Sequence, residues 1–124
     1  MANLVLTRPQ GGGIPGTIST GIYINPGETK VVDGCSCGSN RSVKWIYTLM
    51  DDTTGAERVV SAEVLANHRN STPGTEKHNW AGVVGDRILH NVDVDLQSGA
   101  LRLKIKNNDT TILRANIVRI QLLS

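Results

Sequence analysis

Cys35 and Cys37 stand one residue apart in Gly34-Cys35-Ser36-Cys37-Gly38, and thiolates at that spacing can in principle pair or hold a soft metal. Pairing is disfavoured, because alternate residues rarely present the Cβ separation that a disulfide needs. A metal would have to recruit His68, His78 and His90, and the chain offers no four ligands at zinc-like spacing. His90 lies in phase with Val92 and Val94, so it is expected to point inward as a hydrogen-bonded core histidine. The thiols therefore read as loop side chains of a protein folded in the cytosol, and no metal or cofactor is expected.

The carboxylates offer a second chemistry. Asp93 and Asp95 share one face of a strand, as an acid–base pair would, but Arg102 and Lys104 sit opposite them and keep both ionised. Asp51-Asp52 is a conceivable calcium pair that reads more simply as a turn. Ser61-Ala62-Glu63 lies in no nucleophile elbow, and Gly11-Gly12-Gly13 precedes no helix that would cradle a phosphate. No residue is assigned a catalytic role, and an enzyme is not expected. His78 and Trp80 form a possible ligand platform on which a sugar could stack. The competing reading makes Trp80 a cap on one end of the core, its N–H finding a partner there.

Strands must position all of these groups. Asn91 to Lys106 folds at Ser98-Gly99 into a hairpin that sets Leu96 against Leu101, Val94 against Leu103 and Val92 against Ile105. The same register sets Asp95 against Arg102 and Asp93 against Lys104 on the other face. Slipping it by one residue would turn every apolar side chain outward. Arg41 to Asp51 carries Val43, Trp45, Tyr47 and Leu49 on one face. A turn at Thr54-Gly55 brings Val60, Ala62 and Val64 opposite them, small residues meeting large ones.

Ile18, Ile22 and Ile24 alternate before the turn Asn25-Pro26-Gly27-Glu28, and Thr29 to Asp33 follows as a short strand. Gly34 to Asn40 and Asn67 to Asn79 read as loops, with a short strand at Val83-Val84. The last strand, Thr110 to Leu123, changes phase at Ile117-Val118, which points to a bulge. The pattern predicts an all-β, antiparallel, jelly-roll-like β-sandwich of about eight strands over residues 17–124. Residues 1–16, rich in Gly and Pro, are expected to form an extended arm whose Leu4, Leu6 and Ile14 are interface residues for a neighbouring subunit.

Composition narrows the function classes. A net charge of +2, with cations placed beside anions, and 3% aromatic residues argue against nucleic-acid binding. No apolar run is long enough to cross a membrane as a helix, and Met1 to Arg8 lacks the apolar core of a signal peptide.

The run Arg41-Ser42-Val43-Lys44-Trp45-Ile46-Tyr47-Thr48-Leu49, followed by Ser61 to His68, resembles a β-sandwich domain of tailed-bacteriophage virion proteins. Gly85-Asp86, Leu101-Arg102-Leu103 and a final strand carrying Arg119 continue the resemblance from about Asp33 onward. The Cys-Ser-Cys loop and the Gly-rich arm fall outside it. The resemblance implies a non-enzymatic structural component, made and assembled in the host cytoplasm, that decorates or reinforces a capsid or tail. Its implied partners are other virion proteins and copies of itself, expected as a trimer. The alternative is a receptor- or glycan-binding tip or fibre domain.

Overall fold

The computed structural model describes residues 16–36, 40–69, 72 and 74–123. Leu4, Leu6, Ile14 and Cys37 lie outside them. Eight antiparallel strands form two sheets: β1 (Gly16–Ile24), β2 (Thr29–Ser36), β3 (Asn40–Asp51), β4 (Arg58–Asn67), β5 (Lys77–Gly85), β6 (His90–Gln97), β7 (Ala100–Asn107) and β8 (Leu113–Leu123). One sheet runs β1-β8-β3-β4-β5 and the other β2-β7-β6. The pairs β1–β8 and β2–β7 are nested and close the chain on itself. β3, β4 and β5 instead follow one another within one sheet, giving five strands over three rather than the even split of a regular jelly roll.

Alternation builds the core. Val43, Trp45, Tyr47 and Leu49 of β3, with Val60, Ala62 and Val64 of β4, are buried against Leu101, Leu103 and Ile105 of β7. Cross-strand partners are Trp45 with Val64, Tyr47 with Ala62 and Leu49 with Val60, as the volumes of these residues led one to expect. The β6–β7 hairpin has the expected register throughout, from Val92 with Ile105 to Leu96 with Leu101. Its turn has φ 53° at Ser98 and 77° at Gly99, positive at both central positions as a type I′ hairpin requires. The Asn25–Glu28 turn closes with a 2.9 Å bond from Glu28 N–H to the Asn25 carbonyl, and Gly27 takes φ 80°.

Four local readings are corrected. Ile18 does not share a face with Ile22 and Ile24: the β1–β8 register shifts between Ser19 and Ile22, and Ile18 turns outward opposite Val118. The bulge thus lies in β1, at Gly21 (φ 66°), whose N–H donates to Asn116 Oδ1 at 2.8 Å. β8 passes Ile117-Val118 without one, its register with β3 unbroken from Leu122 to Arg114. The phase change there arises because Arg119 takes an inward place opposite Trp45. Gly34, Cys35 and Ser36 are strand, not loop: Cys35 pairs with Leu101 and is buried in the core. Finally, Lys77 to Trp80 belong to β5, although their polarity suggests a loop.

Candidate functional site

The outer faces of the two sheets differ in kind. On the small sheet the face is laced with charge. Arg102 Nε donates to Asp95 Oδ1 at 2.7 Å, and Lys104 reaches Asp95 at 3.1 Å and Asp93 at 3.6 Å. These contacts hold the Asp95 carboxyl down at about 2, the Arg102 hydrogen bond contributing most. Asp95 is thereby committed to ion pairs and is a poor proton carrier near neutrality, and Asp93 is engaged by Lys104.

The five-stranded sheet turns a different surface outward. Ile18 of β1, Ile46 of β3, Val59 and Leu65 of β4, and Val84 of β5 are exposed there, Leu65 at 52% and Val84 at 68%. Register joins Ile18 to Val118 and Val118 to Ile46, whereas Leu65 lies between Lys44 and Asn79, and Val84 lies beside Ser61. One ion pair, Lys44–Glu63 at 3.2 Å, lies among them. Exposed apolar side chains gathered on one face are a common feature of interaction surfaces.

The signal for this face was in the sequence. Val59-Val60, Val64-Leu65, Val83-Val84 and Ile117-Val118 are apolar doublets, and on a strand a regular doublet must put one residue on each side. Assigning only the inner residues of such doublets conceals the outer ones.

Trp80 and His78 do share a face of β5, opposite Val64 and Ala66 respectively. That face points to the sandwich interior at its open edge, where Trp80 packs edge-on against His90 with ring centroids 5.2 Å apart. His90 Nδ1 lies 2.8 Å from the Ile88 carbonyl, so Nδ1 carries the proton and Nε2 accepts from the Tyr47 hydroxyl at 2.7 Å. Burial pushes the Tyr47 phenol up beyond its usual range, partly opposed by the hydrogen bond with Trp80. Trp80 is thus tied to a buried polar cluster while 39% of it stays exposed.

The remaining candidates lie apart from one another. Asp51 accepts from Thr53 N–H and Oγ1 and from Arg58, so it fixes the start of the β3–β4 loop. Ser61 shares a 2.9 Å hydroxyl contact with Thr48 on the outer face. His68 is buried at the end of β4. Among the described residues no three His, Cys, Asp or Glu side chains cluster as metal ligands would.

No protein-family model matches the chain, and no curated protein matches its sequence. Among solved structures, the crystal structure of the Acinetobacter phage vB_ApiP_P1 tailspike protein contains a similar fold. The likeness has a TM-score of 0.59 at 11% identity, and covers 99% of this chain and 24% of that one. The tailspike protein of Acinetobacter baumannii phage AM24 aligns with a TM-score of 0.43 at 10% identity, over 88% of this chain and 26% of that one. The chain spans about a quarter of the length of these tailspikes. Its β-sandwich is a fold that a phage tailspike contains.

Proposed function

We propose that this chain is a non-enzymatic β-sandwich module of a bacteriophage tail, held to copies of itself through the apolar outer face of the five-stranded sheet. The contrast between the two outer faces carries the reading. One is covered with satisfied ion pairs suited to water, and the other exposes Ile18, Ile46, Val59, Leu65 and Val84. The tailspike fold likeness over the whole chain supports a place in the tail rather than the head. A structural role also suits the acids and histidine, which are engaged in ion pairs and core hydrogen bonds. The leading segment with Leu4, Leu6 and Ile14 serves in this reading as the anchor to neighbouring virion proteins, so deleting residues 1–16 removes the chain from particles.

Sedimentation of the purified protein tests the interface. Wild type should self-associate, and Leu65→Asp or Ile46→Asp should give a monomer with unchanged β-sheet circular dichroism. A monomeric wild type would overturn it. Antibody labelling of intact particles tests the location, with label on the head alone refuting the tail assignment.

A further inference from the structure

Among the described residues, β1 and β5 form the edges of the large sheet, and β2 and β6 those of the small one. All but β6 carry a bulge. The register shifts in β1 between Ser19 and Ile22, in β2 between Val31 and Asp33, and in β5 opposite Ser61 and Glu63. A bulge interrupts the row of free N–H and C=O groups on an edge strand and hinders another strand from pairing there. The register of β6 with β7 is unbroken from His90 to Gln97. We propose that the free edge of β6 receives an extended strand of another protein, one whose residues alternate between apolar and basic.

The free backbone groups belong to the inward-facing residues of β6. Gln97 and Ala100 flank the two-residue turn and so exchange both hydrogen bonds, and alternation extends this to Asp95, Asp93 and Asn91. The 2.9 Å bond from Asn108 N–H to the Leu89 carbonyl keeps the same phase. Val92 and Val94 therefore turn N–H and C=O toward the open edge. An apolar ledge overhangs it. The small sheet covers β4, whose Val60, Ala62 and Val64 are buried, and β5 extends beyond that cover. The contact of Trp80 with His90 sets β5 over the first half of β6. A Cβ on Gly82 would lie 3.5 Å from Glu63 Cγ on the outer face, so Val83 turns inward opposite Ala62. Val83 is 55% exposed, and with Trp80 and the partly buried Val92 it gives the apolar side chains of an added strand a surface to cover.

The outer face of β6 sets the charge of the partner. A strand laid along this edge brings alternate side chains beside Asp93 and Asp95, where opposite charges are favourable. Asp95 is held by Arg102 and Lys104, whereas Asp93 meets Lys104 at 3.6 Å and leaves 62% of its side chain exposed. β7 already satisfies the other side of β6 with the same alternation, Leu101-Arg102-Leu103-Lys104-Ile105. A second copy of β6 is a poor occupant. With Val92 and Val94 making the bonds, the antiparallel registers of greatest overlap set Asp93 against Asp95 or against its own counterpart.

This edge is separate from the apolar outer face of the large sheet, so failure here leaves that interface standing, and a monomeric wild type leaves this edge standing. Short blocked peptides serve as probes of the full chain: one alternating valine with lysine, its scrambled isomer, and one alternating valine with glutamate. The basic alternating peptide should bind with a Kd on the order of 0.1 mM in a ¹⁵N chemical-shift titration. It should slow amide exchange at Val92 and Val94, while Asp93 and Asp95, already bonded to β7, change little. Asp93→Lys should weaken it about tenfold, roughly 1.4 kcal/mol, and admit the acidic peptide. The exposure of Asp93 should leave thermal unfolding of that variant near wild type. No binding by the basic peptide, equal binding of its scrambled isomer, protection gained on another edge strand, or unchanged affinity in Asp93→Lys would overturn the assignment. So would exchange at Val92 and Val94 as slow as at Asp93 in the full chain alone, because this chain or a second copy would then already fill the edge.

Discussion

Arg119 reaches across the sandwich from β8 to Asp33 on β2, its Nη1 lying 2.9 Å from Oδ2 and 3.1 Å from Oδ1. Trp45, fully buried on β3, donates its indole N–H to the same carboxylate at 2.8 Å. One acidic side chain on β2 thus joins both sheets through partners on two strands, β3 and β8, and Arg119 also donates to the Gly34 carbonyl at 2.7 Å. With side-chain exposures of 13% and 10% for Arg119 and Asp33, the pair is largely withdrawn from water. Breaking it from one side leaves an uncompensated buried charge, whereas removing both charges costs far less.

Asp33→Ala should therefore destabilise the protein by about 3 kcal/mol or more, since it strands both Arg119 and the Trp45 N–H. In the double variant Asp33→Ala/Arg119→Met much of that loss should return. Urea unfolding of the four proteins in the cycle measures it, and additive single effects would show that the two residues do not act as a unit.

This pair also shows what the sequence conceals. The two hairpins were legible to the residue, because strict alternation and Ser98-Gly99 or Thr54-Gly55 fix their register. An arginine at an inward position disguises the phase of β8, since nothing local says that Asp33 waits on the other sheet. Gly21 and Gly82, both near φ 66°, bulge the two edge strands of the large sheet, and a strand glycine announces a bulge only once its partner is known. β5 is exposed on both faces, so no apolar alternation marks Lys77 to Trp80. The outer apolar residues show in the sequence only as doublets such as Val59-Val60 and Val64-Leu65, because the partner strand decides which member of each faces out.

His90 gives the fold a pH dependence near neutrality. Burial lowers its pKa below the ordinary 6.5, opposed by the hydrogen bond to the Ile88 carbonyl. Below that value the unfolded chain takes up the proton and the native core resists it, so stability is complete above 6.5 and falls as pH drops further. The melting temperature should decline between about pH 7 and pH 5. His90→Gln, which keeps a donor and an acceptor but cannot titrate, should flatten that decline. An equal slope in both proteins would place the titration elsewhere.

Arg58 governs the acid limb. It bridges Asp51 at 2.8 Å and Asp109 at 3.0 Å, both almost wholly buried. Asp109 is held down from the ordinary 3.8 to about 2, chiefly by Arg58. Asp51 lies well below the carboxylate range through the Thr53 hydroxyl and then Arg58. Depressed carboxylates stabilise the native state above 3.8, and that stability is lost as pH falls toward 2. Arg58→Met should cost about 3 kcal/mol at neutral pH, because two acids are left facing each other. The gap from wild type should narrow below about pH 4, where the unfolded chain's acids are protonated and the bridge counts for less. A gap that stays constant down to about pH 2 would mean that Arg58 acts through packing alone.

Two glycines with positive φ should respond very differently to an added methyl group. Gly99 has φ 77° with open space around the site of a Cβ, so Gly99→Ala meets only the left-handed backbone penalty, about 1–2 kcal/mol. Gly85 has φ 120°, and a Cβ there would fall 2.3 Å from the Val59 carbonyl oxygen and 3.1 Å from Val60 Cα. Those are backbone atoms of the neighbouring strand, which cannot rotate aside. Val59 is further pinned there, its carbonyl accepting from Asp86 N–H at 2.7 Å and its N–H donating to Asp86 Oδ2 at 2.8 Å. Gly85→Ala should therefore exceed the Gly99→Ala penalty by a further 2 kcal/mol or so, by pushing β5 off β4. Amide exchange should show the same asymmetry, with protection lost at Val60 and Ser61 in the first variant and only at the hairpin tip in the second. Equal penalties for the two would mean that the β4–β5 contact yields readily, and β5 would then be a loosely held edge.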